Sequence, residues 1–277
     1  METKPPDSQV DGGFVMGSRA VMALSGGMDS TSLLLRLLRD GYNVTCVSYE
    51  YGQKHSIEIE RAKENIQRLQ SKGLGVKHKI IDLSSAMGTF HSALTKQNYT
   101  VPEGHYEEIQ MKQTVVPNRN AIFSSILYGM ALSISQSEDV DVIVALGVHS
   151  GDHAIYPDCR PEFYKALSDA FSIGNWESER VTFELPYISG DKSTILRDAL
   201  HSCEVLDLDF DTIMGSTITS YNPDRLGRSS GKSGSDVERI LAFYDIGRID
   251  PIEYVDSWEK VLANALKLKE DISHEHH

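Results

Sequence analysis

Short apolar runs alternate with longer amphipathic stretches through most of the chain. Residues 20–24, 44–48, 76–83, 140–146 and 181–184 are short stretches marked by branched, small or aromatic apolar residues, and each reads as a strand. The run at 140–146 is strongly apolar, the pattern of a strand buried on both faces. Between them, helical spacing predicts helices over 31–39, 55–69, 120–135, 161–172 and 192–200. Gly41 closes the first, Lys72-Gly73 ends the second, Pro161 opens the fourth and Asp191 caps the fifth. This β-α-β-α-β rhythm predicts a doubly wound, mostly parallel sheet.

Two stretches break the rhythm. Residues 84–116 have no firm period and are longer than a typical connection, which predicts a lid or an active-site insertion. Beyond 205 the pattern reads as turns until a last helix at 257–269. The expected division is therefore an α/β domain over 1–204 and a C-terminal helical and loop region over 205–277.

Composition narrows the function. A formal charge of −13 argues against broad electrostatic capture of DNA or RNA, so direct nucleic-acid binding is not expected. It leaves room for a nucleotide, which needs only a local cluster of donors. The longest apolar runs fall short of a membrane span, and the first dozen residues lack a signal peptide's apolar stretch. The three dispersed cysteines, Cys46, Cys159 and Cys203, make no disulfide scaffold. A cytoplasmic chain is expected. His274, His276 and His277 read as a frayed tail without metal duty.

The phrase Leu24-Ser25-Gly26-Gly27-Met28-Asp29-Ser30 follows the first strand and opens the first helix. A strand that turns through glycines into a helix start presents backbone N–H groups suited to phosphate. Ser25, Ser30 and Thr31 add hydroxyls, and Asp29 is placed to hold Mg²⁺. An ordinary βα turn would use similar residues. The phrase lacks the lysine and spacing of the ATPase phosphate loop and the spacing of the dinucleotide fingerprint. It resembles the pyrophosphate loop of the ATP-pyrophosphatase superfamily, Ser-Gly-Gly-x-Asp-Ser, whose members adenylate a substrate and release pyrophosphate.

Further polar clusters follow other predicted strands, at the carboxyl edge where parallel sheets bind ligands. They are Tyr51-Gly52-Gln53-Lys54-His55 with Glu58, then Pro117-Asn118-Arg119-Asn120, then Asp152 and Tyr156-Pro157-Asp158-Cys159-Arg160. In order and spacing, Tyr51-Gly52-Gln53, Pro117-x-Arg119-Asn120 and Tyr156-Pro157-Asp158-Cys159-Arg160 resemble the signatures of the 7-cyano-7-deazaguanine synthase family, over residues 20 to 245. Phe163, Lys192 and Arg239 also stand where that family has them. The resemblance implies an adenine-nucleotide alpha-hydrolase-like fold with a small C-terminal helical elaboration, and an AMP-forming carbon–nitrogen ligase. Its cofactors would be ATP and Mg²⁺, and its partners a deazaguanine acid, ammonia and a second copy of the chain.

Residue roles follow from the same resemblance. Leu24, Ser25, Gly26, Gly27, Asp29, Ser30 and Thr31 would hold the nucleotide, with Asp29 on Mg²⁺. Asp29, Ser30 and Lys192 would serve the chemistry. Tyr51, Gln53, Arg119, Asn120, Asp158 and Arg160 would bind the deazaguanine. The family's four zinc cysteines fall here on Ser220, Ser230, Ser233 and Asp236, so zinc is expected to be absent. Residues 219–236, rich in Gly and Ser, are then expected to form a loose loop. With the zinc ligands gone, the endpoint stays open between the nitrile, the amide, and transfer of the acyl group to another amine. A nucleotide-binding scaffold without turnover is the rival of a different class.

Overall fold

A computed structural model describes residues 18–52, 57–90, 115–152, 156–218, 224 and 228–275. Gln53, His55, Ser220, most of the predicted insertion at 84–116 and the end of the histidine tail lie outside the described residues.

Five parallel strands form the sheet: β1 (Arg19–Ala23), β2 (Asn43–Glu50), β3 (Val76–Asp82), β4 (Val142–Ala145) and β5 (Val181–Glu184), in the order β3-β2-β1-β4-β5. Arg19 lies beside Asn43 on one side and Val142 on the other, so β1 is central and flanked by connections that leave in opposite directions. This order places the switch point between β1 and β4.

Alternation along the strands explains the two faces. Ala20, Met22, Ile143 and Ala145 pack into one apolar cluster with α1 (Met28–Arg39), α2 (Ile57–Ser71) and α6 (Lys192–Val205). Val21, Val142 and Val144 pack into another with α4 (Arg119–Glu138) and α5 (Pro161–Gly174). Both faces are covered, which is why β4 reads as apolar throughout. The short α3 (Ser84–Met87) follows β3.

Helices α1 and α6 are also pinned by charge. Asp198 meets Arg36 at 3.2 Å and Arg39 at 2.5 Å, and accepts the Tyr187 hydroxyl at 2.7 Å. Asp191 caps α6 as its sequence predicts, accepting the Thr194 N–H at 2.7 Å.

The C-terminal region corrects the sequence reading twice. Where turns are predicted, the chain forms α7 (Phe210–Gly215) and α8 (Gly234–Asp245) before α9 (Trp258–Glu275). Phe210, Ile213, Met214, Ala242 and Phe243 join the apolar cluster of β1 and α1. Secondly, residues 228–236 are not loose. Ser229 and Ser233 are buried, and the Ser229 backbone bonds to Glu253 and Val255. Gly231, at φ 71°, packs so tightly that a Cβ would lie 2.8 Å from Val261. Ser233 and Asp236 form a reciprocal capping box at the start of α8. Backbone pairing and a helix cap hold this segment despite its polar composition.

Candidate active site

β1 ends at Ala23, and the chain turns through Gly26 into α1. Gly26 has φ 85°, a left-handed conformation that glycine adopts without steric cost, and a Cβ there would sit 2.2 Å from the Glu58 carbonyl oxygen. Gly27 occupies the N-cap of α1 and supplies no side-chain cap, so the helix's first N–H groups find no partner from that side chain. Ser25 and Ser30 hydroxyls lie 3.0 Å apart, and the Ser25 hydroxyl accepts the Gly27 N–H at 3.2 Å. The structure thus gathers Ser25, Gly26, Gly27, Asp29 and Ser30 at one turn. Leu24 and Thr31 sit within the same phrase, but both residues are buried.

Two other strand ends converge on this turn. After β5, α6 begins at Lys192, whose Nζ donates to Asp29 Oδ2 at 2.9 Å and lies 3.7 Å from Glu238 of α8. A cation at a helix N-terminus is unfavourable without an anion nearby, and Asp29 is that anion. After β4, Gly147 packs against the Asp29 backbone, where a Cβ would meet the carbonyl oxygen at 3.3 Å. The chain then places buried His149 with Nε2 3.8 Å from Asp29 Oδ2. Burial alone would raise the Asp29 carboxyl, but Lys192 and His149, with Arg239 adding, hold it below its usual value.

The second group lies beyond β2 and at the start of α4. Arg119 hydrogen-bonds the Tyr51 side chain and attracts the Glu58 carboxylate. Burial nevertheless dominates at Glu58 and pushes its carboxyl up to about 7. Asn120 donates to the Asp158 carbonyl at 3.2 Å and to the Cys159 sulfur at 3.4 Å, so the Pro117 and Tyr156 motifs meet in space. Cys159 is buried, whereas Arg160 is exposed. Arg239 is fully buried against Asp250 and Thr217, which gives it a packing and charge-pairing place in the C-terminal region.

Sequence reasoning had not singled out His149 or Glu238 for this site. His149 could have been found from its place just past β4, the strand beside the switch point. Glu238 carried no such signal, because its helix was itself unpredicted.

Asp29 Oδ1 is buried with no hydrogen-bond partner among the described residues, which fits a hard cation such as Mg²⁺. The described residues at the family's zinc positions fit zinc poorly. The Ser233 hydroxyl accepts the Asp236 N–H, and the Asp236 carboxylate accepts the Ser233 N–H, so both serve as a helix cap. A neutral hydroxyl is also a weak ligand beside a thiolate.

The five-stranded parallel sheet and the glycine turn from its central strand into α1 define a doubly wound α/β protein with the pyrophosphate-loop phrase at its carboxyl edge. Within that class the chain belongs to the family described as "Queuosine biosynthesis protein QueC", which matches residues 19–247. It is 43% identical over 239 residues to the 7-cyano-7-deazaguanine synthase of Alteromonas mediterranea, covering 86% of this chain and 100% of the relative. It is 39% identical over 236 residues to the enzyme of that name from Methanoregula boonei, covering 85% and 99%. A looser likeness joins it to the NMN synthetase structure from Francisella tularensis, at TM-score 0.37 and 15% identity over 95% of this chain and 88% of that one.

Proposed function

We propose that the chain converts 7-carboxy-7-deazaguanine, ATP and ammonia to 7-cyano-7-deazaguanine. The carboxylate attacks the α-phosphorus of ATP, pyrophosphate leaves, and ammonia displaces AMP to give the amide. A second ATP activates the amide oxygen, whose loss as AMP with two amide protons leaves the nitrile. The observation that carries the reading is the Asp29–Lys192 pair at 2.9 Å beside the glycine turn, in a chain whose relatives bear the synthase name.

Charge assigns the parts. The turn at Ser25, Gly26, Gly27 and Ser30 receives the phosphates through N–H and hydroxyl donors. Lys192 is held by Asp29 until a triphosphate arrives, and its ammonium then faces the charge gathering on departing pyrophosphate. Mg²⁺, when bound at Asp29, supplies further neutralisation of that charge. Tyr51, Arg119, Asn120, Asp158 and Arg160, with Gln53 from the sequence, receive the deazaguanine. Arg119 and Arg160 suit its carboxylate, and Asp158 suits its N–H edge.

The capping box at Ser233 and Asp236 favours a second reading, in which the reaction ends at the amide or passes the acyl group to another amine. A helix cap where the resemblance expects metal ligands is a departure from the family pattern, and that departure supports keeping a different endpoint in view. Mass spectrometry of product from the acid, ammonium and excess ATP separates the two. Nitrile is expected, and amide that persists beside unused ATP would promote the second reading.

A further inference from the structure

Lys192 stands between two carboxylates from distant parts of the chain. Asp29 Oδ2 takes its ammonium at 2.9 Å, while Glu238 Oε2 lies 3.7 Å from the same nitrogen, an ion pair longer than a hydrogen bond. Their settings differ as well. Asp29 is closed in by Gly147 and His149, whereas the Glu238 side chain is 44% exposed. A carboxylate in contact with water gives up a cation at small cost, because hydration replaces the pair. Glu238 is therefore the partner that Lys192 can leave.

The position of Glu238 is built rather than incidental. Its neighbour Arg239 is locked in place by Asp250 and Thr217. Ser193, the residue after Lys192, donates to Asp245 of α8 at 3.0 Å, which ties the start of α6 to the helix that carries Glu238. A Cβ on Gly151 would lie 3.6 Å from Glu238 Oε1, so the carboxylate also overhangs the loop beyond β4. The Ile218 N–H donates to the Gly26 carbonyl at 3.1 Å, and a Cβ on Gly27 would lie 3.2 Å from the Ile218 carbonyl oxygen. The C-terminal region thus forms a wall of the phosphate turn, and it presents a negative charge to the cation there. A fixed anion in such a wall weakens phosphate binding, and its hold on the lysine weakens it again.

We propose, resting on the acyl-adenylate reading above, that Glu238 is the exchange partner of Lys192 and takes its ammonium back when pyrophosphate leaves. With a triphosphate in the turn, the ammonium faces the phosphates and water solvates the Glu238 carboxylate. After pyrophosphate is cleaved off, return of the ammonium toward Glu238 withdraws a positive charge from the product and speeds its release. The proposed route to the nitrile releases pyrophosphate twice, so tight retention would stall the site between the two activations. Glu238 is in this sense a positioning residue, acting through Lys192, and its effect is to lower affinity.

The test is calorimetric titration of the full-length protein with inorganic pyrophosphate in magnesium buffer. Glu238→Gln keeps the shape of the side chain and removes its charge. The Kd for pyrophosphate is expected to fall about fivefold, the scale of one partly exposed ion pair, and KM for ATP should fall with it. An unchanged or higher Kd would overturn the proposal, because a side chain that only braces α8 loosens the site when it is altered. In a Lys192→Met background the same substitution is expected to gain less than about twofold. A full fivefold gain there would also overturn the proposal, by making Glu238 a direct repeller of phosphate. Should the Gln variant fail to fold, Glu238→Ala carries both comparisons. Acid-dependent exchange of labelled pyrophosphate into ATP by the unaltered protein tests the underlying reading. Its absence would overturn the acyl-adenylate reading and this inference with it. With exchange present and no tightening in the variant, the Glu238 assignment alone fails.

Discussion

Asp29 meets two opposing demands. Burial works against its charge, yet Lys192, His149 and Arg239 keep it ionised below the usual carboxylate range. An acid so placed keeps its negative charge throughout the pH range in which ATP is fully charged, and it keeps Lys192 in position. Replacing Asp29 by Ala removes both effects. Substrate-dependent pyrophosphate release is expected to fall at least about 100-fold, the scale set by a lost electrostatic partner at a developing charge. Wild-type release rates in that variant, followed with a coupled pyrophosphate assay, would contradict the assignment. The glycine turn, Asp29 and Lys192 were legible in the sequence because each stands just beyond a strand with a recognisable pattern. Glu58's altered acidity was not, since it depends on burial between segments distant in the chain.

Helices α1 and α6 show how a charged contact sets the stability of a pair of elements. Burial raises the Asp198 carboxyl, but hydrogen bonds from Tyr187 and Arg39 and the charges of Arg36 and Arg39 bring it below its ordinary value. A folded-state pKa below the unfolded one contributes stability at pH above the unfolded value, and that stability is lost as pH falls through the folded value. Asp198→Asn, which removes the carboxylate facing Arg36, Arg39 and Tyr187 while Arg39 keeps Asp40 and Ser202, is therefore expected to cost about 2 kcal/mol at pH 7. The difference should shrink below about pH 4, where an unfolded aspartate is itself protonated. Urea unfolding of both proteins at the two pH values checks this, and a pH-independent difference would refute it. The strands and most helices were legible from apolar periodicity, with ends shifting by a few residues. Helix α8 was hidden because Gly231, Gly234 and the serines at 229, 230, 233 and 235 dilute its start. Its signal was the Ser233-to-Asp236 spacing of a capping box, read instead against the cysteine pattern of the family.

At the scale of the whole molecule, an acidic chain concentrates cationic groups where the sheet changes direction. Lys192 and Arg119 reach the carboxyl edge from opposite faces of the sheet, where their charges oppose the net −13. The C-terminal region is joined to the rest by apolar packing and by hydrogen bonds from Ser193 to Asp245 and from Asn65 to the Ile213 carbonyl, and is held within itself by the capping box and the buried Arg239–Asp250 pair. A protein held this way is expected to carry no stoichiometric zinc, because its described zinc positions offer hydroxyls and one cap-engaged carboxylate. Elemental analysis after removal of any histidine tail should find far less than one zinc per chain, and a chelator should leave the melting temperature in place. Near-stoichiometric zinc would overturn this. The sequence pointed to the missing ligands, but the backbone pairing of Ser229 and the close packing of Gly231 on Val261 are properties of three-dimensional contacts. The backbone N–H of Ile218 donates to the carbonyl of Gly26 at 3.1 Å, so a segment from the last quarter of the chain braces a turn from its first tenth. During synthesis the early β-α units leave the ribosome first, while Lys192 and Ile218 are still to be made. On the function proposed above, nucleotide capture is then among the last capacities the nascent protein acquires, and an unfinished chain would spend no ATP.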